Sequence, residues 1–515
     1  MGTLKQDLAS GLSLIETHTA WVFLGPDAVW KVKKPVDFGF LNFTTLERRK
    51  AACDAEIALN SRLAPDVYRG VVAVTRDAAG RHGLGGSGDV VDYAVEMARL
   101  ADQDRADILL EGGQLSHEHI DLLGQTLSAF HERMPTSEHI AGFGSPDTIL
   151  ANIRENFAQT RSTIHEYLDA DQAGEIESRQ LGFVEAHREL FVSRMVDGKV
   201  RDGHGDLRLE HVYLKPEPTI IDCIEFNERF RYADVCCDVA FLTMDLARAG
   251  RVDLSERLLA AYASAANDFD LYRLVDFYEG YRAFVRGKVA SLLVNDAGAS
   301  VEARRHASEL ARRHYLLALA SGRANITPPV MLAVGGIVGS GKSTVAAQLS
   351  AILTAPIVAT DRTRKHWLGV TSTTSLREPA WAGAYSSQVS ERIYGEVLRR
   401  ATSVLSSGRP VIVDGTFRSR AERGRARLLA MQLGVPFLFV ECRATLEDCR
   451  VRLSRRAQQA HVSDARIELF DELVKRFEPI DEFAPQEHLI VDTSAATSDT
   501  LRDLRARFAA WPAGH

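Results

Sequence analysis

Gly336-Ile337-Val338-Gly339-Ser340-Gly341-Lys342-Ser343 satisfies G-x-x-x-x-G-K-[ST] at every fixed position. The glycines let backbone N–H groups turn inward around an anion, and a helix starting at the end of the loop adds a favourable dipole. Lys342 can reach the outer phosphates of a triphosphate, and the Ser343 hydroxyl can take a divalent cation. Gly336, Gly339, Ser340, Gly341, Lys342, Ser343 and Thr344 are therefore candidate nucleotide contacts. An apolar run over 329–334 precedes the loop and reads as a buried strand, and 344–349 reads as the start of a helix. That strand, loop and helix context is what the motif requires.

Two later strand-like runs carry acid at their ends. One covers 355–360 and leads into Asp361-Arg362-Thr363-Arg364, and the other is Arg409-Pro410-Val411-Ile412-Val413-Asp414. In a parallel sheet, ligands bind beyond the carboxyl ends of the strands, which places Asp361 and Asp414 beside the phosphate loop. Asp414 looks like a Walker-B-type acid that holds Mg²⁺. Asp361 is either a catalytic carboxylate or the N-cap of the next helix. Arg418, Arg420 and Arg423 follow Asp414, and residues 437–442 read as a further strand. The Asp361-x-x-Arg364 spacing resembles P-loop kinases of the polynucleotide, gluconate and zeta-toxin type. In those kinases the acid acts on the acceptor hydroxyl and the arginine binds acceptor or phosphate. The helix carrying Arg452, Arg455 and Arg456, running into 457–463, resembles their lid, with arginines neutralising developing charge.

A second constellation lies in the first part of the chain. His204-Gly205-Asp206 is followed by Leu207-Arg208-Leu209-Glu210-His211, and sixteen residues after Asp206 comes Thr219-Ile220-Ile221-Asp222. This resembles the aminoglycoside phosphotransferase family of the protein-kinase-like superfamily, over about 15–320. The resemblance implies that Asp206 orients or accepts the proton of an attacking hydroxyl and that Asp222 holds Mg²⁺. It implies a small-lobe lysine on the phosphates, Lys31 or Lys33, with Lys31 favoured, and Glu56 as that lysine's partner. Val95-Glu96-Met97-Ala98 resembles the adenine hinge, with Glu96 and Ala98 as nucleotide contacts, Leu127 to His131 the family's L-x-x-x-H helix, and Asp238 a brace for the catalytic loop.

Two positions depart from the family. His211, a candidate metal contact, stands where it has a metal-binding asparagine; imidazole is a poor Mg²⁺ ligand, so either Glu210 or Glu225 substitutes, or one metal is handled differently, or activity is weak. No glycine-rich flap is present, and Glu16-Thr17-His18-Thr19-Ala20 occupies its place.

The elements that must position these groups follow from pattern. Residues 20–24, 28–33, 70–76 and 90–97 read as strands, 46–63 as a helix, and 79–88 as a loose hairpin loop. After about 102 the chain turns mostly helical, ending in a helix over 301–319. Ser321 to Pro329, with two prolines, reads as a joint between a kinase-like domain at 1–325 (small lobe 1–98) and a P-loop domain at 328–515. The fold class is multidomain α/β: a bilobal α+β unit followed by a parallel α/β sheet.

The chain has 515 residues and a net charge of −7. Cut at Thr327, the first part has 37 basic against 49 acidic residues, a net −12, and the second 25 against 20, a net +5. The basic part would suit phosphate-rich ligands, and the acidic part a cationic acceptor. Residues 1–10 lack the build of a signal peptide, no apolar run reaches a membrane span, and the six cysteines form no CxxC pair. A cytoplasmic protein with reduced thiols is expected. No aromatic-interleaved basic surface points to nucleic acid.

These features together predict two sites using ATP and Mg²⁺, each passing a γ-phosphate to a hydroxylated small molecule. Two alternatives stay open. The first site is a weak nucleotide sensor beside one active kinase, or the P-loop domain is an ATP-driven switch.

Overall fold

The computed structural model describes residues 2–39, 41–294, 300–320, 322, 327–371, 374, 383–456, 467–494 and 497–508. The chain forms two compact units. One comprises 1–250 and 277–321, and the other 251–276 and 322–515. Among the described residues no helix is long and apolar enough to cross a membrane.

The first unit begins with a six-stranded antiparallel sheet. Its spatial order is Ser13–Glu16, Ala20–Leu24, Ala28–Lys33, Asp89–Ala98, Tyr68–Arg76, His82–Leu84. The stretch 79–88, expected as a loose hairpin loop, contains the short strand His82–Leu84, which pairs with Val74 to Arg76. Val32 points into a core with Phe23, Val74 and Ala94, whereas Lys31 and Lys33 share the opposite face by the two-residue period of a strand. The helix Leu46–Asn60 is capped by Thr45, which accepts the Arg48 N–H. Its inward face is Ala52, Cys53, Glu56 and Asn60, so this helix buries polar groups where an ordinary amphipathic helix buries apolar ones.

The remainder of this unit is mainly helical, including His117–Arg133, Pro146–Thr160, Val235–Arg248, Val275–Val294 and Val301–Leu319. Between the strands Val200–Asp202 and Val212–Tyr213 runs the loop bearing His204 to His211. Val212–Tyr213 pairs with Thr219–Ile220, which brings Asp222 back beside that loop. Gly205 has φ +87°, and a Cβ there would meet the Phe230 carbonyl at 2.7 Å, so only glycine fits.

The second unit is a five-stranded parallel sheet in the order Ile357–Ala359, Val411–Asp414, Met331–Gly335, Phe437–Arg443, His488–Asp492. The central strand is buried at all five positions, as expected for a sheet covered on both faces. Lys342–Leu353 follows the phosphate loop and packs Val345, Ala346 and Leu349 into the core. All six cysteines are buried and none forms a disulfide.

Candidate functional sites

In the first unit the Lys31 ammonium lies 2.9 Å from Glu56 Oε1 and 2.6 Å from Asp222 Oδ1. Lys33 lies 2.5 Å from Glu56 Oε2 and also pairs with Glu225. Both candidate lysines therefore share one buried glutamate, but only Lys31 has an ion pair with Asp222 among the described residues. Burial works against the charge on Lys31, yet Asp222 and Glu56 outweigh it and hold its pKa well above the usual lysine range. The same balance, burial opposed by Lys31 and His211, holds Asp222 below the usual carboxylate range.

Asp222 sits at φ +65°, an uncommon conformation for a residue with a side chain. Its backbone is held by its neighbours: the Asp222 N–H donates to the Tyr68 hydroxyl at 3.1 Å, and the Cys223 N–H donates to Asn60 Oδ1 at 2.8 Å. Such strain persists where surrounding contacts over-determine it, and it clusters at ligand sites.

Asp238 accepts the backbone N–H of His204 at 2.7 Å and of Gly205 at 3.0 Å, and His131 Nε2 is 3.4 Å from it. This is the loop brace that the family resemblance implied. His204 is packed and structural: its Nε2 bonds the Ile221 carbonyl at 3.0 Å, and Nδ1 accepts the Asp206 N–H at 3.3 Å. Asp206 Oδ2 accepts from Arg208 Nε at 3.0 Å. Burial raises the Asp206 pKa, but Arg208, His211 and Arg286 prevail and keep it below the usual range.

Of the three residues that could complete the metal site, His211 faces Asp222, with Nε2 3.6 Å from Oδ2. Glu210 pairs with Arg208, and Glu225 with Lys33. Burial, then Arg208, lowers the His211 pKa to about 4, so the ring is neutral at neutral pH. His211 Nδ1 bonds the Asp206 carbonyl at 2.9 Å, leaving Nε2 to accept from Arg208 at 3.0 Å.

Glu96 and Ala98 lie within the strand Asp89–Ala98, and the Ala98 N–H is taken by the Val67 carbonyl at 2.8 Å. An adenine contact through that N–H is blocked. The 16–20 segment is a tight hairpin, in which the Thr17 N–H bonds the Ala20 carbonyl at 2.9 Å.

In the second unit the phosphate loop has φ +141° at Gly336, +82° at Gly339 and +84° at Gly341. A Cβ at Gly336 would meet the Cys442 carbonyl at 2.5 Å, and one at Gly339 the Cys449 carbonyl at 2.8 Å. The loop is thus a backbone cradle of the kind that holds phosphate. Ser343 Oγ donates to Asp414 Oδ2 at 2.8 Å, which pairs the two predicted metal contacts. Lys342 Nζ donates to the Ile337 carbonyl at 2.8 Å. Thr344 is exposed in the first helical turn. The oxygen donors Ser343 and Asp414 in this unit, and separately Asp222 in the first, suit Mg²⁺, a hard cation that takes one or two carboxylates with substrate phosphates. Among the described residues no group of three or more His, Cys, Asp or Glu is gathered as a metal cluster.

Ala359 pairs in register with Asp414, so Asp361 lies two residues past that point, on the adjacent strand's exit. The N-cap of the helix Thr360–Trp367 is Ala359, so Asp361 is a first-turn residue and not the cap. Arg364 is buried, 4.6 Å from the Tyr385 ring, with Nε donating to the Ala384 carbonyl at 3.3 Å. Asp361 and Arg364 both act electrostatically on Tyr394, whose hydroxyl accepts the Phe417 N–H at 2.8 Å.

Arg452 braces the loop from below: Nη1 approaches the Gly339 carbonyl at 3.4 Å, and Nη2 donates to the Thr493 carbonyl at 2.6 Å. Arg455 is exposed, while the Arg456 side chain and the 457–463 stretch lie outside the described residues. Arg423 is buried against Glu482 and the Phe417 carbonyl, which makes it structural. Sequence reasoning missed Thr493, whose hydroxyl donates to the Ser340 carbonyl at 2.7 Å. A threonine just past the fifth strand was the available signal. It also missed Tyr68 and Asn60, which carry no motif.

Comparison with known proteins follows the same division. Residues 37–278 match the phosphotransferase enzyme family, and 331–480 match a family described as an AAA domain. Uncharacterized proteins of Mycobacterium tuberculosis and Mycobacterium bovis are each 33% identical over 462 residues, covering 90% of this chain and 89% of theirs. Among solved structures, a gluconokinase from Sinorhizobium meliloti is 19% identical with a TM-score of 0.27, covering 35% of this chain and 92% of its own. The GDP complex of an aminoglycoside 2'-phosphotransferase is 15% identical with a TM-score of 0.35, covering 59% and 90%. A kinase-like phosphotransferase unit followed by a P-loop kinase unit defines the class, a two-domain kinase. Within that class, the chain belongs to the family of these mycobacterial proteins.

Proposed function

We propose that the protein carries two nucleotide sites, each of which transfers the γ-phosphate of ATP to a hydroxyl of a small molecule. The observation that carries the first site is the ion-pair chain Lys33–Glu56–Lys31–Asp222, buried at Lys33 and Glu56 and open to solvent at Asp222, with His211 between Asp222 and Asp206. Lys31, oriented by Glu56, would bind the nucleotide phosphates. Asp222 and the neutral His211 would hold the metal, and Asp206 would orient the acceptor hydroxyl and take its proton. In the second site Lys342 and the loop N–H groups would hold the phosphates, with Arg452 keeping that loop in place. Ser343 and Asp414 would hold the metal, and Asp361 would face the acceptor, with Arg364 supporting that side. Mg²⁺ supplies charge neutralisation on the phosphates when bound. Phosphoryl transfer asks mainly for positioning and electrostatics, which these residues offer without a covalent intermediate.

One observation favours a second reading for the first site. Arg208 pairs with Asp206 and donates to His211, so a guanidinium covers the proposed base. If Arg208 stays in place, that site senses nucleotide, and the P-loop unit alone catalyses.

The test is ATP-dependent phosphorylation of a library of hydroxylated metabolites by the full chain and by Asp206→Ala and Asp361→Asn variants. The proposal expects one product set lost in each variant. If Asp206→Ala retains every product, the sensor reading replaces it for the first site. If Asp361→Asn does so, the P-loop unit acts as a switch.

A further inference from the structure

The first unit contains a small cavity of about 50 Å³ between Pro146–Thr160, the 229–237 segment and Val275–Val294. Its walls include the rings of Phe230, Tyr278 and Tyr281, and its charged lining is Asp234, Arg229 and Arg282. Two of these charges are already matched. Asp234 takes both arms of Arg194 at 2.7 Å, and Arg229 donates to Asn152 at 2.8 Å and pairs with Glu155.

Arg282 is the exception. It is 7% exposed, its Nε is buried without a hydrogen-bond partner, and no carboxylate lies at ion-pair distance among the described residues. Its guanidinium lies 4.6 Å from the Phe241 ring. A guanidinium cannot shed its charge by losing a proton; Cys237, Asp238 and Asp206 act in favour of that charge against its burial, but no carboxylate touches it among the described residues. One turn along the same helix lies Arg286, on which Asp206 and Asp245 act in favour of the charge. Residues four apart lie on one face, so the two arginines present a positive stripe.

The cavity adjoins the catalytic loop. The carbonyl of its lining residue Phe230 abuts Gly205, and Asp238, next to the lining residue Cys237, holds the His204 and Gly205 N–H groups. Asp206 acts electrostatically on both Arg282 and Arg286.

We propose that this cavity is the acceptor subsite of the first unit and that Arg282 binds a carboxylate or phosphate on the acceptor. The inference rests on the reading of Asp206 as the residue facing the acceptor hydroxyl. It gives the substrate a class: a small hydroxylated anion whose apolar middle lies against tyrosine rings. The acidic composition of 1–327 suggested a cationic acceptor, but the charge inside the pocket has the opposite sign.

The experiment is saturation-transfer NMR on the full chain, with AMP-PNP and Mg²⁺ in excess so that neither nucleotide site is open to the probes. The probes are glycerate, glycerol 3-phosphate, glycerol and glucosamine. The two anions should receive saturation and the neutral and cationic probes should not, and the stronger anion tells carboxylate from phosphate. Arg282→Gln should weaken anion binding by about tenfold or more, and Arg282→Lys by less. Unchanged AMP-PNP binding and melting temperature would show both variants folded, and Tyr281→Phe provides a milder change if they are not. Anion binding unaffected by Arg282→Gln, or a preference for glucosamine, would overturn the proposal. Asp206→Asn separates the two claims. If the anions bind it and the wild type alike through Arg282 and neither transfers phosphate, the pocket stands and the catalytic reading falls. If the wild type phosphorylates a cationic acceptor independently of Arg282, the reverse holds.

Discussion

Glu56→Gln removes the one carboxylate that both small-lobe lysines share. Glu56 is 1% exposed and meets Lys31 at 2.9 Å and Lys33 at 2.5 Å. Gln keeps the shape and one acceptor oxygen but loses attraction to two ammonium groups. Breaking a buried pair costs about 3–5 kcal/mol, and the lower end applies because Lys31 keeps Asp222 and Lys33 keeps Glu225. In a domain of this size, about 3 kcal/mol corresponds to a melting transition about 6–12 °C lower. Lys31 would then swing toward Asp222, and affinity for Mg²⁺–AMP-PNP at the first site should fall about tenfold. Calorimetric melting of the full chain with and without AMP-PNP measures both effects, and the transition of the second unit serves as an internal control. A first-unit transition within about 1 °C of wild type, with nucleotide affinity intact, would refute the claim that Glu56 organises the site.

Other outcomes follow from the same contacts. Gly339→Ala places a Cβ 2.8 Å from the Cys449 carbonyl at φ +82°, so it should destabilise the second unit by about 2–3 kcal/mol. Urea unfolding reads this, and an unshifted midpoint would mean that the loop relaxes freely. His314 is 3% exposed, and burial lowers its pKa to about 4. The unfolded chain therefore takes up this proton from about pH 6.5 while the folded chain resists until about 4, so stability falls as pH falls, by about 3 kcal/mol across that window. His314→Gln should lose less stability than wild type between pH 7.5 and 4.5, and equal losses would contradict the assignment. Ser343→Ala should raise the Mg²⁺ concentration needed for nucleotide binding at the second site only, as seen by titrating Mg²⁺ against a fluorescent ATP analogue.

Much of the architecture was legible in the sequence because strand and helix periods are local. The strands Ala20–Leu24 and Ala28–Lys33 and the helix Val301–Leu319 fall where pattern places them. The phosphate loop was legible because its glycines answer to backbone geometry, which a motif records. The less visible features depend on contacts between residues distant in sequence. The Ala98 N–H bond to Val67 removes a hinge donor that the strand pattern alone would leave open. Arg452 reads as a lid arginine on its helix but is turned under the phosphate loop by Thr493, forty-one residues on. His82–Leu84 is too short and glycine-rich to announce a strand, and it forms because Val74 to Arg76 offers an edge. The pairing of Asp234 with Arg194 likewise joins segments with no periodic relation.

The central claim is that one chain grips two nucleotides through two unrelated sets of residues. Equilibrium dialysis of the full chain against labelled AMP-PNP with Mg²⁺ tests it most directly, alongside Lys31→Ala and Lys342→Ala. The expected stoichiometries are two for the wild type and one for each variant. A wild-type value of one, abolished by Lys342→Ala and untouched by Lys31→Ala, would contradict it.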